Sequence, residues 1–181
     1  MPTKFENLCL SYGAARDRWF EYRGECREFL IRVSKMMVDD WKLPELRYRP
    51  LEGKPEEDRE YEAGAAIHLD DDGYFHLGVV LTVVDPPENA SRQDVVIRIC
   101  AKKVGSTFHL RFGREDPHAV IPDDDDDAIL RALEGLYEQI KDSYDTDLER
   151  FVSTTPSRAV EASRRIGFRT APDLHHMKPS T

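Results

Sequence analysis

The chain has 181 residues, with 26 basic and 35 acidic side chains and a formal net charge of -9. This length fits one domain with a proper core and a tail. The acidic balance argues against general binding to DNA or RNA, which requires basic surface to displace counterions. No run approaches the roughly 18 apolar residues of a membrane-spanning helix, and the first residues show no apolar secretory signal, so no membrane contact is expected.

The three cysteines are an odd number without a CxxC pair. Cys9 and Cys26 occupy apolar positions of a helical pattern, and Cys100 falls on the outer face of a predicted strand with no evident base. We therefore expect buried free thiols rather than disulfides, and a reducing, cytoplasmic compartment.

A long amphipathic helix is predicted from Phe5 to Met36, where apolar residues recur at steps of three and four. Pro44 predicts that the helix ends before it, because the residue preceding a proline avoids the α region. At about 1.5 Å per residue, such a helix is longer than a small sheet normally covers. It must bend, or its overhang must pack on something else. Four large residues of its stripe are candidates for an interaction helix: Trp19, Tyr22, Phe29 and Met36.

The centre of the chain predicts an antiparallel meander of four strands at about residues 60–69, 74–84, 95–103 and 108–113, each with alternating apolar residues. Asp72-Gly73 indicates a hairpin turn between the first two. Residues 46–51 are predicted as a fifth strand at an edge, where Pro50 needs no hydrogen-bond donor.

Five consecutive aspartates, 123–127, precede a helical pattern from Ile129 to Phe151. Acidic residues gain from the partial positive charge at a helix N-terminus, and one aspartate can cap it. We expect a cap and a solvated first turn rather than a cation site. The fold class is then α+β, with two long helices on one sheet face and residues 1–151 as a single domain.

The C-terminal tail, 152–181, has five basic and two acidic residues, so residues 1–151 carry -12. A short helix from Ser157 to Ile166 is predicted, and the last dozen residues are expected to be disordered unless bound.

The hairpin segment "HLDDDGYFH" offers imidazole and carboxylate groups that could hold a divalent metal. The same residue types serve a hairpin turn equally well. Motifs for phosphate binding, nucleophilic catalysis or zinc are lacking. We therefore expect no metal, cofactor or catalytic residue, and lean towards a protein that is not an enzyme.

The outer face of the sheet is polar and locally basic within an acidic protein. It is either an ordinary solvated face or a docking surface for an acidic segment, a nucleotide or nucleic acid. The candidate binding residues are His76, Arg98, Lys102, His109 and Arg111.

Two hypotheses of function follow. The first is a non-catalytic protein-interaction module: an adaptor, a chaperone-like subunit of a bacterial complex, or an inhibitor of the immunity type. It would act through its acidic body, long helix and tail. The alternative is ligand binding, with or without catalysis, on the basic sheet face. A protein partner is expected under the first hypothesis, and a homodimer is compatible with both.

Overall fold

The computed structural model has an N-terminal helix, an antiparallel sheet and a C-terminal helix, which confirms the α+β class. It describes residues 2–51, 59–84, 92–113, 116–153 and 169–170. No helix within these ranges is long and apolar enough to cross a membrane. The elements in chain order are α1 (Lys4–Trp41), β1 (Arg47–Arg49), α2 (Ala63–Ala66), β2 (His68–Leu69), β3 (Phe75–Val84), β4 (Arg92–Val104), β5 (Thr107–Arg111), β6 (Ala119–Pro122), α3 (Asp126–Ser153) and β7 (Arg169–Thr170).

The sheet is antiparallel throughout, in the order β1-β3-β4-β5-β6. β3, β4 and β5 are three of the four meander strands predicted from the sequence, β6 adds a strand that was not predicted, and β1 is the edge strand predicted at 46–51. β2 pairs with β3, and β7 pairs with β4 at Val95 and Val96. Gly73 turns the β2–β3 hairpin with φ 75°, in the left-handed region that favours glycine.

One strand prediction was wrong, and one observed strand was not predicted. Residues 60–69 were interpreted as one strand, but Ala63–Ala66 form the short helix α2 and only His68–Leu69 form a strand. Alanine is the best helix former, and the Arg27 guanidinium donates to the Gly64 carbonyl at 2.7 Å, which holds this turn against α1. The strand β6 was not predicted at all, because it is four residues long and ends in a proline.

The helix α1 is continuous over 38 residues. A capping box between Thr3 and Glu6 starts it, and Lys42 in the left-handed region ends it before Pro44, as the sequence predicted. A helix of this length spans about 57 Å, whereas the ten residues of β3 span about 33 Å. The helix therefore overhangs its own sheet.

The aspartate run starts α3. Asp125 Oδ1 accepts a hydrogen bond from the Ala128 amide at 2.8 Å, which confirms the predicted cap. Asp126 and Asp127 lie in the first turn, where negative charge is favourable.

Both long helices contribute to one core on the inner face of the sheet. Phe29 of α1 stacks on Phe108 of β5, with ring centroids 4.0 Å apart and planes within 6°. Leu133 and Ile129 of α3 complete this layer and are buried.

Lys103 of β4 links α1 to the start of α3. Its ammonium lies 2.5 Å from Glu25 Oε1 and 3.3 Å from Asp123 Oδ2, and its carbonyl accepts from the Tyr22 hydroxyl at 3.3 Å. The hydrogen bond to Glu25 is the main reason that the pKa of Lys103 is raised. Three elements are thereby joined where α1 leaves the sheet.

The predicted tail helix, Ser157 to Ile166, lies outside the described residues, as does most of the segment expected to be disordered. Residues 169–170 are described only as the strand β7.

Candidate functional site

A row of polar side chains crosses the outer face of the sheet. The register places His68 of β2 opposite His76 of β3. Cys100 of β4 is opposite both His76 and Arg111 of β5. Directly opposed residues in antiparallel strands project from the same face, so hairpin pairing brings together residues that are distant in sequence.

His76 is at the centre of the row and is fully buried. An Arg98 guanidinium nitrogen lies 2.8 Å from its Nδ1. Because a guanidinium only donates, Nδ1 accepts and the ring proton is on Nε2, which donates to Asp72 at 3.0 Å. Burial lowers the pKa of His76, and the interaction with Asp72 offsets only part of this effect. The imidazole is therefore neutral at neutral pH.

Asp72 is the acceptor that connects the row to the hairpin turn. It accepts from the Tyr74 amide at 2.9 Å, from His76 and from the Arg111 guanidinium. Burial would raise the pKa of Asp72, but these hydrogen bonds and the neighbouring charges outweigh burial and lower it. Arg111 also lies over the Tyr74 ring, 4.0 Å from its centroid, so the turn is held by a charge pair and a cation–π contact.

Cys100, His76 and Asp72 have the order of a thiol–imidazole–carboxylate triad. Cys100 Sγ lies 3.6 Å from His76 Nδ1 and 3.5 Å from the Gly113 carbonyl oxygen. The thiol is fully buried, and burial raises its pKa to about 11. The lone pair that would take its proton is already engaged by Arg98. A buried thiol with a raised pKa does not act as a nucleophile.

Within the part of the chain that the structure describes, one group of three side chains has the composition of a metal site. Single ligand atoms of His68, Asp70 and His76 all lie within 4.8 Å of one another. Asp70 Oδ2 is 3.7 Å from His76 Nδ1, but Arg98 is closer to that nitrogen and adds a positive charge. A cation would have to displace the Arg98 guanidinium, so these residues fit a metal poorly in this arrangement.

Lys102 and His109 lie beside the network, on the same face. The His109 ring stacks on His118, with centroids 4.2 Å apart and planes within 8°. Burial and the nearby charges of His118 and Lys102 lower the pKa of His109. The five candidate binding residues thus share one face but form two groups: a buried network and a more accessible basic pair.

The sequence does not identify Asp70 and Asp72 as partners of His76, because aspartates in this segment fit a hairpin turn or a metal site equally well. Asp70 lies six and Asp72 four residues before His76, across a tight turn. This spacing is the feature of the sequence that predicts their proximity to the imidazole. The Asp72 carboxylate neutralises Arg111, one of the two arginines among the candidate binding residues.

The four candidate interaction residues of α1 lie in different environments. Phe29 is core and Met36 packs against it. Tyr22 is partly buried under the Lys103 carbonyl. Trp19 is at the boundary: its ring lies 6.4 Å from the Phe75 ring, yet 44% of the residue is exposed.

The exposed apolar surface of α1 lies N-terminal to these residues. Except for Gly13, every residue from 2 to 21 is exposed. The prediction that Cys9 is a buried thiol was therefore wrong, because the sheet does not cover this part of α1. Phe5, Leu8, Tyr12 and Trp19 continue the same stripe that Phe29 and Val33 use in the core, because steps of three and four repeat one helix face. We call residues 4–21 the α1 overhang.

A small cleft lies at the base of the overhang. It has a volume of about 120 Å³ and lies between α1 and the β2–β3 hairpin. Its walls combine aromatic and aliphatic groups with guanidinium and imidazole groups: Trp19, Arg23, Arg27, Ile67, His68, Leu69 and Phe75.

Comparison with protein-family models, with curated proteins and with solved structures found no match for this chain.

Proposed function

We propose that this chain is a non-catalytic protein-interaction module that acts in the cytoplasm as an adaptor, a chaperone-like subunit or an inhibitor. Its docking surface is the α1 overhang, which binds an apolar protein segment. The observation that carries this proposal is the exposure of a continuous apolar stripe over half of a helix whose other half is core.

Exposed apolar residues are common singly, but a contiguous stripe is typical of an interaction site. Phe5 is 72% exposed and Leu8 66% exposed, and both are on the face that the sheet covers further along α1. Aromatic residues carry much of the binding energy at protein interfaces. A partner segment laid along this stripe would extend the existing core beyond the end of the sheet.

The outer sheet face supports the alternative of ligand binding less well. Arg98 and Arg111, the groups best suited to a phosphate, already donate to His76 and Asp72. Lys102 and His109 remain as a basic pair. If a nucleotide or oligonucleotide binds there, Lys102→Ala weakens binding of the labelled ligand and added salt weakens it further.

A matched pair of leucines tests the docking role. Leu8 lies on the stripe and Leu10 on the opposite side of the same helix, and their exposed fractions are nearly equal. Native mass spectrometry of the wild type is expected to show a stoichiometric protein complex, which Leu8→Glu abolishes and Leu10→Glu preserves. Equal behaviour of the two variants, with both folded by circular dichroism, would contradict the proposal.

A further inference from the structure

We infer that the protein segment bound by the overhang is the overhang of a second copy, running antiparallel, with a two-fold axis near Tyr12. This inference rests on the proposed docking role and names its occupant. It assigns the overhang as the interface of a homodimer.

The spacing of the stripe suits a symmetric contact. Phe5, Tyr12 and Trp19 are separated by seven residues each, so Phe5 and Trp19 are equidistant from Tyr12. In an antiparallel pair centred on Tyr12, each Phe5 lies level with Trp19 of the other copy. A two-fold interface requires this reciprocity, in which residue i contacts j and j contacts i.

The body of the domain determines the direction of pairing. From Trp19 onwards the sheet lies on the same side of α1 as the exposed stripe, as the Trp19–Phe75 and Tyr22–Phe75 ring contacts show. Two parallel overhangs, stripe to stripe, would bring both bodies to the same end of the pair, where they would collide. In the antiparallel pair, Lys4 of one copy lies level with Phe20 of the other. Each helix therefore starts at the point where the sheet of the other copy begins, and the two bodies do not collide.

The cleft at the base of the overhang accepts the residue that this pairing delivers. Phe5 of the second copy arrives beside Trp19, Leu69 and Phe75, which are walls of the cleft. Its volume of about 120 Å³ is close to the ~150 Å³ of an apolar protein cavity that holds benzene. Arg23, also in the wall, can lie over the incoming ring.

Charge also favours a second copy. The overhang has three basic and three acidic residues and is neutral, although the whole chain carries -9. Two chains of the same net charge repel each other, and a neutral contact surface is where association adds least to that repulsion. A strongly basic partner would instead have little to gain at the overhang.

The available area meets the requirement for a weak, specific dimer. Aromatic side chains bury about 150–250 Å² each when fully covered. Four stripe residues, 44–72% exposed, and the backbone between them give on the order of 1,000 Å² for both copies, near the lower limit of specific interfaces. We therefore expect a dimer with a dissociation constant in the micromolar range, roughly.

The first experiment is sedimentation equilibrium of the full chain from about 1 to 200 μM. Leu8→Glu places a carboxylate in the interface of both copies and is expected to raise the dissociation constant by at least ~100-fold. Leu10→Glu has the same charge change and helix propensity but is outside the interface, and its dissociation constant is expected to stay within about threefold.

The second experiment determines direction by disulfide crosslinking. Tyr12→Cys in a Cys9→Ser background places the thiols of two antiparallel copies at the axis, and rapid crosslinking is expected on oxidation. Native Cys9 would be about 9 Å along the axis from its equivalent, too far for a disulfide. Efficient crosslinking through Cys9, or no preference for position 12, overturns the antiparallel arrangement.

A chain that stays monomeric up to 200 μM overturns the homodimer. If that monomer binds a different protein in a manner abolished by Leu8→Glu and retained by Leu10→Glu, the docking role stands without the homodimer. If neither kind of complex depends on Leu8, the docking role fails as well.

Discussion

The buried charge network at the β2–β3 hairpin makes a quantitative prediction for Asp72→Asn. The substitution keeps the shape of the side chain and one acceptor oxygen but removes the charge that neutralises Arg111. Removing one partner of a buried ion pair costs about 3–5 kcal/mol. The Asp72 side chain is 22% exposed and that of Arg111 13% exposed. Water therefore screens part of the charge, and we expect a loss of about 2–3 kcal/mol, or about 5–10 °C in Tm.

Urea denaturation at pH 7, followed by circular dichroism, measures this loss. Asp71→Asn is the matched control, because Asp71 lies in the same turn but is exposed, and it should lose clearly less stability than Asp72→Asn. The pKa of Asp72 is lowered in the folded state. Its contribution is therefore complete above the unfolded pKa of about 3.9 and is lost as the pH falls through the folded pKa. The difference between wild type and Asp72→Asn should shrink below about pH 4. Equal losses for Asn at 71 and 72 would refute a structural role of the network.

Three further results are expected. In the unfolded chain His76 is protonated near pH 6.5. In the folded chain its pKa is lowered, so protonation requires a lower pH. The free energy of unfolding of the wild type should therefore fall as the pH drops below about 6.5, and that of His76→Gln should fall less steeply. Parallel curves of unfolding free energy against pH for the two proteins would contradict this. Asp125→Ala should cost about 1 kcal/mol through loss of the helix cap, against almost nothing for Asp124→Ala in the same urea titrations. A thiol reagent should modify exposed Cys9 within minutes but reach Cys100 only on unfolding. Rapid labelling of two or more thiols per chain would show that Cys26 or Cys100 is not buried.

The sequence predicted those elements whose apolar period is long enough to be unambiguous. The helices α1 and α3 and the strands β3 to β5 each show several repeats of one period. Residues 63–66 were predicted as strand because Ala-Gly-Ala-Ala has no large side chain whose spacing would distinguish a strand from a helix. β6 has too few residues to show any period.

The candidate site was predictable only in part. Alternation placed His76, Arg98 and Arg111 on one face. The sequence did not indicate that Asp72 turns back onto His76, nor that Gly113 covers Cys100, because both contacts depend on loops. Likewise, periodicity located the stripe of α1 but could not show where the sheet stops covering it. That limit depends on the lengths of β3 and β4 and on where the helix crosses them.

The contacts of Lys103 have a consequence for any complex that forms on the overhang. Lys103 holds α1 at the point where the helix departs from β4, through its contacts with Glu25, Asp123 and the Tyr22 hydroxyl. From Tyr22 towards the N-terminus the helix continues without a break for 18 residues, about 27 Å. The overhang is thus a rigid arm whose direction is set before any partner arrives. A flexible peptide would lose conformational entropy on binding, whereas this preorganised arm loses little. A bound segment is accordingly held at a defined distance and angle from the acidic body.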